Sequence, residues 1–326
     1  MQLAVTGRIN PRVIDHILRE RPDLTVKYWS EPGTISRRQF LDWATDADAM
    51  ITMLTETVDR EVLDRALRLK IVSNMAVGYD NFDLEELKRR KVLATNTPDV
   101  LTESTAELTV ALMLMVMRRL RFAEDALRHN QWKGWEPDAF LGSECVGKTL
   151  GLVGFGRIAQ AVMRRAVVFG MNVVVFTRRR LNTLPGGVRQ VSWEELLTTS
   201  DIVSLHVPLN AESFHLIDDK ALSQMRSTAV LINTARGAVV DENAVIRALK
   251  AGKLAGAGLD VFEKEPLSAA SELRMLPQVT LLPHIGSATV ETRTAMAERA
   301  WRNIAAFLDG KKPLDLLIPE LWPEPQ

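Results

Sequence analysis

The apolar run Leu150-Gly151-Leu152-Val153 passes without a spacer into Gly154-Phe155-Gly156-Arg157-Ile158-Ala159, which opens a helical pattern reaching about Phe169. This arrangement leaves little freedom of fold. A buried strand must end in a turn tight enough to need a residue without a Cβ, and a helix must begin at once on its far side. The second glycine lets the backbone close on a pyrophosphate, whose charge then meets the amides at the helix N-terminus. The third position needs only a small side chain for helix–strand packing, and Ala159 supplies one. Gly154, Phe155, Gly156, Arg157 and Ile158 are therefore candidate contacts to a dinucleotide.

The rest of the chain has the matching rhythm. Leu3–Val5, Thr25–Trp29, Ala49–Met53, Ile71–Ser73 and Val92–Thr95 are expected as strands. Arg12–Glu20, Ser36–Ala44, Val58–Leu67 and Leu84–Arg89 alternate with them at helical spacing. A second series of buried strands is expected at Leu150–Val153, Val173–Phe176, Ile202–His206, Val230–Asn233, Ala257–Val261 and Val279–Leu282. Strand–helix alternation of this kind predicts α/β architecture with doubly wound parallel sheets, and 326 residues are enough for two domains. One long helix, Thr102 to Arg128 with Thr102 as its cap, links the series. A last amphipathic helix, about Ser287 to Leu308, ends at Asp309-Gly310. From Lys311 onward the proline-containing sequence predicts an irregular tail.

The end of the second strand in this series chooses between nicotinamide cofactors. An acidic residue there would bond the ribose 2′-hydroxyl of NAD. The sequence instead reads Phe176-Thr177-Arg178-Arg179-Arg180. Thr177 can hydrogen-bond a 2′-phosphate, and Arg178 or Arg179 can pair with it through two N–H groups. The expectation is NADP(H) in preference, with NAD(H) possible.

Three further residues sit in loops just after strands of the second series, the edge at which open α/β sheets bind ligands. Arg236 lies in Asn233-Thr234-Ala235-Arg236-Gly237, Glu265 in Asp260-Val261-Phe262-Glu263-Lys264-Glu265-Pro266, and His284 in Leu282-Pro283-His284-Ile285-Gly286-Ser287. Reduction of a 2-keto acid needs a fixed cation for the carboxylate, an acid to protonate the carbonyl oxygen, and a group that keeps the acid charged and oriented. An arginine, a histidine and a carboxylate fill those roles.

At these segments the chain resembles the D-isomer-specific 2-hydroxyacid dehydrogenases. The likeness is carried by Gly154–Ala159, by Asn233–Gly237 leading into Val239-Val240-Asp241-Glu242, by Gly256-Ala257-Gly258-Leu259-Asp260-Val261-Phe262, and by Pro283-His284-Ile285-Gly286-Ser287. Ala76-Val77-Gly78-Tyr79-Asp80-Asn81 and Trp132-Lys133-Gly134-Trp135-Glu136-Pro137 narrow it toward glyoxylate/hydroxypyruvate reductases. The resemblance implies a Rossmann cofactor domain, residues 99–288, inserted into a flavodoxin-like substrate domain made of 1–98 and 289–326. It implies an active site in the cleft between them that closes by hinge motion. By position, Arg236 clamps the carboxylate, His284 is general acid in reduction and general base in oxidation, and Glu265 keeps His284 protonated near neutrality. The amides around Val77 and Gly78 hold the carboxylate from the first domain, and Asp260 faces the nicotinamide end. Thr102, Val207, Pro208, Thr234, Ala235, His284 and Gly286 complete the expected cofactor contacts. Trp135 is expected to reach the partner subunit's active site, which implies a homodimer.

Other function classes find little support. Lysine plus arginine equals aspartate plus glutamate, 41 each, so net charge offers nothing to nucleic acid or an anionic membrane. The longest apolar run, Val110 to Met117, is far short of the ~20 residues that span a bilayer, so no membrane association is expected. The single cysteine, Cys145, excludes an internal disulfide and fits a reducing, cytoplasmic compartment. No cysteine pair or histidine cluster has metal-ligand spacing. His206, ending a strand before Val207-Pro208, is read as structural. Two alternatives remain. One is oxidation of another small anion such as phosphite on the same scaffold, although phosphite-oxidising relatives carry a lysine in the segment equivalent to Ala76-Val77-Gly78. The other is a non-enzymatic, dinucleotide-sensing protein resembling the corepressors of the family.

Overall fold

The structure, a computed structural model, describes residues 1–323. The chain separates into two compact units, Met1–Leu101 with the chain from Ser287 onward, and Thr102–Gly286.

In the first unit β1 (Gln2–Val5), α1 (Pro11–Glu20), β2 (Thr25–Tyr28), α2 (Arg37–Asp46), β3 (Ala49–Thr52), α3 (Arg60–Arg65), β4 (Ile71–Asn74), α4 (Leu84–Arg90) and β5 (Leu93–Thr95) alternate. Side chains fix where the helices start. Asn10, Ser36, Asp59 and Asp83 each accept a first-turn amide, and Ser36 with Gln39 forms a reciprocal capping box. The strands make one parallel sheet in the order β2-β1-β3-β4-β5. Phe40, Met50, Leu63 and Leu87 are among its most enclosed side chains.

The second unit opens with α5 (Thr102–Met117) and α6 (Leu120–Arg128). The sequence predicts one helix here, and the structure breaks it. Ser143 donates its amide to the Met117 carbonyl at 2.8 Å, which takes that carbonyl out of the helix ladder. Arg119 then turns left-handed, at φ 51°, and lays its guanidinium 4.6 Å from the centre of the Phe122 ring. Thr102 is the first residue of α5, not a cap ahead of it.

β6 (Thr149–Val153), α7 (Arg157–Val168), β7 (Asn172–Phe176), β8 (Val188–Gln190), α8 (Trp193–Thr199), β9 (Ile202–Leu205), α9 (Asp219–Gln224), β10 (Val230–Asn233), α10 (Glu242–Lys250), β11 (Gly256–Leu259) and β12 (Val279–Leu281) follow. All seven strands are parallel, in the order β12-β11-β10-β9-β6-β7-β8. The expected six are joined by β8, a three-residue edge strand too short to carry a readable pattern. Neighbouring residues point to opposite faces, so Leu152 and Val153, or Val174 and Val175, belong to different cores on the two sides of the sheet. Strand order reverses between β6 and β9, the point at which such a sheet opens a crevice. Cys145 is buried in one of these cores, and burial pushes its thiol pKa up, which disfavours the thiolate.

α11 (Val290–Leu308) returns to the first unit, starting three residues later than expected because Thr289 caps it. The tail is irregular as expected, yet it is anchored. Leu317 donates to the Ala94 carbonyl at 2.8 Å, Leu316 bridges Thr95, Asp315 receives a bidentate bond from Arg299, and Ile318 is buried. Residues 324–326, the end of the expected second substrate-domain segment, lie outside the described residues. Among the described residues no helix is long and apolar enough to cross a membrane.

Candidate active site

The glycine turn leaves β6 at the strand-order reversal. Gly154 has φ 91°, and a Cβ there would stand 2.5 Å from the His206 carbonyl oxygen and 3.0 Å from Val207. Only glycine fits both the dihedral and the contact. Gly156 is the N-cap of α7 and makes no side-chain cap, and a Cβ built on it meets nothing within 4 Å. No side chain caps the first turn of α7, and an uncapped helix N-terminus is where a pyrophosphate's charge is favoured. One strand over, Thr177, Arg178 and Arg179 line an open hollow just past β7. Gln190 of β8 shapes that loop by donating to the carbonyls of Thr177 and Arg179 and accepting from Leu181. Arg178 pairs with Glu212 from the segment after β9, where Ser213 also donates to the Pro208 carbonyl at 2.6 Å. Cradle, open helix end and basic hollow fit an extended dinucleotide.

Arg236, Glu265 and His284 follow the adjacent strands β10, β11 and β12. Asn233, 1% exposed, shapes the first loop by accepting from the Ala235 amide at 3.0 Å and donating to the Arg236 carbonyl at 2.8 Å. Asp260 shapes the third. Its oxygens accept the amides of Ile285 and Gly286, each at 2.8 Å, and its carbonyl accepts the His284 amide at 2.8 Å. Those bonds hold His284 in the left-handed region, at φ 55°, a conformation that strains a residue bearing a Cβ by roughly 1 kcal/mol or more. Burial pushes the Asp260 carboxyl up, against the pull of those amides and of His284. His284 Nδ1 lies 2.7 Å from Glu265 Oε2, and Glu265 Oε1 accepts the Phe262 amide at 3.0 Å. Burial raises the Glu265 carboxyl, but the His284 bond and charge, the Phe262 amide and the Arg236 charge outweigh it and hold the group below its ordinary value. With Nδ1 committed to Glu265, Nε2 is the nitrogen left to face a ligand.

A family model describing the NAD-binding domain of the D-isomer-specific 2-hydroxyacid dehydrogenases matches residues 110–286. A glyoxylate reductase of Thermococcus litoralis is 48% identical over 298 residues, covering 90% of each chain, and one of Thermococcus gammatolerans is 47% identical over 323 residues, covering 97% of this chain and 96% of its own. The chain belongs to the D-isomer-specific 2-hydroxyacid dehydrogenases. It is an NAD(P)-dependent dehydrogenase, which sets aside the non-enzymatic alternative. Among solved structures, a Thermus thermophilus protein superposes with a TM-score of 0.91 at 42% identity, over 97% of this chain and 100% of that one. A Sinorhizobium meliloti NADPH-dependent glyoxylate/hydroxypyruvate reductase, in complex with NADP and malonate, superposes at 0.85 with 32% identity, over 100% and 99%.

The remaining expected site residues of this dehydrogenase fall in different places. Val77 and Gly78 follow β4 in the first unit, where Asn96 donates to the Val77 carbonyl and Asn74 to that of Gly78, at 2.8 and 2.9 Å. Trp135 lies between α6 and β6, 82% exposed. Thr234 shares a 2.8 Å hydroxyl contact with Thr109 of α5, and Thr105, one turn earlier, donates to the Gly286 carbonyl at 3.2 Å. These two threonines went unread in the sequence, as did Asn233 and Gln190. The signal for the threonines was present: hydroxyls at i and i+4 on a helix that is otherwise largely apolar, Thr102 to Met117. His206 is structural in its surroundings. Its Nε2 meets Ser204 Oγ at 2.9 Å, and burial of the ring lowers its pKa to about 4.

Proposed function

We propose that the protein reduces glyoxylate or hydroxypyruvate to the corresponding 2-hydroxy acid, preferring NADPH, with His284 as proton donor. The observation that carries this reading is the 2.7 Å His284–Glu265 pair beside the Arg236 loop, at the same sheet edge as the glycine cradle. The bound nicotinamide supplies the hydride. The Arg236 guanidinium holds the substrate carboxylate and so aims its carbonyl. His284 Nε2 gives its proton to the carbonyl oxygen as charge develops there, while Glu265 stabilises the charged ring. Asp260 is assigned to the nicotinamide end of the cofactor, and it also acts through the His284 loop, whose Ile285 and Gly286 amides its oxygens accept. The amides around Val77 and Gly78 are assigned to the same carboxylate, and Ala76 and Val77 bring no extra cation of the sort a phosphite dianion would favour. Thr177, Arg178 and Arg179 are assigned to the 2′-phosphate. Thr102, Val207, Pro208, Thr234, Ala235 and Gly286 are assigned as further cofactor contacts. We also assign a cytoplasmic homodimer in which Trp135 reaches the partner.

The test is oxidation of NADPH and of NADH against a panel of 2-keto acids, with wild type and His284→Ala. Glyoxylate and hydroxypyruvate should lead the panel with NADPH. His284→Ala should lose ~10²–10⁴-fold in turnover. A variant within about threefold of wild type would overturn the proton-donor assignment.

A further inference from the structure

Two more glutamates tie the catalytic loops together. Glu242 opens α10, and Glu263 lies two residues before Glu265. The Glu242 amide donates to Glu263 Oε1 at 2.8 Å, and the Glu263 amide donates to Glu242 Oε1 at 2.6 Å. Each carboxylate thus fixes the other's main chain. One of these segments emerges from the Arg236 loop through the 3-10 turn Gly237–Val239, and the other runs into Glu265. They also touch at Gly237, where an added Cβ would stand 1.8 Å from the Phe262 carbonyl carbon. Contact and clasp together set the spacing between Arg236 and Glu265.

Hydrogen bonding alone does not require this arrangement to be charged. An amide oxygen at either position would accept the same N–H without the repulsion between neighbouring carboxylates. Burial pushes the Glu242 carboxyl up, the bond from the Glu263 amide pulls it back in part, and the charges of Glu263 and Glu265 push it up again. The charged and titratable groups that neighbour the cluster along the chain or by contact are Arg236 after β10, Asp241 at the N-cap of α10 and Arg247 on that helix, and Asp260, Glu263, Lys264 and Glu265 after β11. His215 after β9 and His284 after β12 complete the set. His215 Nε2 lies 3.3 Å from Glu263 Oε1, and Arg247 lies 4.0 Å from Asp241. Among these groups the five carboxylates, Asp241, Glu242, Asp260, Glu263 and Glu265, outnumber the three fixed cations, Arg236, Arg247 and Lys264.

We propose that Glu242 and Glu263 are positioning residues for the reaction. Their reciprocal bonds hold the Arg236 and Glu265 loops in register, and their charges add to the negative potential that retains the proton to be donated. This rests on the reading of His284 as proton donor.

The experiment is the pH profile of kcat/KM for glyoxylate with NADPH, in the full-length protein, for Glu242→Gln, Glu263→Gln and Glu242→Ala. Each glutamine keeps the acceptor and removes the charge. The ratio of wild-type to variant kcat/KM should rise with pH, with the alkaline limb lower by about 0.3 unit or more. A purely structural role would give a ratio independent of pH. Glu242→Ala loses the acceptor too and should fall ~10-fold or more, with KM rising as kcat drops, because Arg236 and Glu265 lose their relative placement. If that variant does not fold, the two glutamine variants still decide. Glutamine profiles that overlay wild type would overturn the proposal. If His284→Ala retains turnover, the proton-donor reading itself fails. If His284→Ala is inactive while the glutamine variants overlay wild type, the role given to the two glutamates fails alone.

Discussion

Glu265→Gln removes one charge with almost no change of shape, and the two jobs of this side chain make its effect calculable. Oε2 faces His284 Nδ1 at 2.7 Å while Oε1 accepts the Phe262 amide at 3.0 Å. An amide has one oxygen and cannot do both. With its oxygen on the Phe262 amide, its –NH₂ faces Nδ1 and requires that nitrogen to accept, which disfavours the ring protonated on both nitrogens. Reversed, the –NH₂ meets the Phe262 N–H, donor against donor. Either way the charge-assisted bond is lost, worth ~1.5–3 kcal/mol. At about 1.4 kcal/mol per tenfold, this is roughly one to two pH units. The two side chains keep 24% and 32% of their exposure, so solvent screening places the expectation near the lower figure, about one unit. The assay is kcat/KM for glyoxylate reduction from about pH 5 to pH 9. The alkaline limb should move down by about one unit, with wild-type and variant rates converging at the acid end. Glu265 itself costs no stability across most of that range. The Glu265 carboxyl is held below its ordinary value, so its contribution to folding is present above that value and fades only as pH falls through the depressed one. Superimposable profiles, or an equal loss at every pH, would refute the imidazolium–carboxylate account.

Two other outcomes follow from the geometry. Arg178→Ala should lower the NADPH-to-NADH ratio of kcat/KM by ~10-fold or more, the loss expected for one charge-assisted phosphate contact, and an unchanged ratio would remove Arg178 from cofactor choice. His206 is a base lowered from 6.5 to about 4, so the unfolded chain takes up its proton first as pH falls. Its contribution to stability is full above pH 6.5 and disappears as pH falls toward 4. At about pH 5 the loss is at most about 2 kcal/mol, since the residue keeps some exposure. Urea midpoints of wild type and His206→Asn should draw together between about pH 7 and pH 5, and midpoints that stay parallel would show the ring is not desolvated.

What could be read from the chain alone was whatever rested on periodicity or on a dihedral that one residue type satisfies. Most of the strands of both sheets announced themselves as short, mainly apolar runs because they are buried on both faces, whereas the edge strand β2 is largely exposed and was read from its β-branched and aromatic residues. Gly154 was legible because φ 91° and a carbonyl at 2.5 Å admit nothing else. What escaped depended on partners distant in sequence. β8 has three residues and draws its place from pairing with β7. The break at Arg119 comes from an amide at Ser143, and the tail is anchored by Ala94, Thr95 and Arg299. Asn233, Glu242 and Glu263 matter through bonds to backbone groups, which no side-chain pattern encodes.

Strand polarity accounts for why loops almost fifty residues apart in sequence open on one edge of the sheet. Every strand of the larger sheet runs the same way, so every loop that follows a strand opens on one edge. Along that edge the ends of β7, β6, β9, β10, β11 and β12 come in order, in steps of ~4.8 Å, which makes about 24 Å from the first to the last. A ligand laid along it would meet the basic Thr177–Arg179 loop, then the glycine cradle and open helix end, then Val207 and Pro208, and last Arg236, Glu265 and His284. The phosphate-rich half of a dinucleotide and its reactive ring need those environments in that sequence. The reverse orientation would set the phosphates against the acids after β11 and leave the reactive ring among arginines. The order of strands therefore fixes which end of the cofactor would reach His284, before any individual contact is considered.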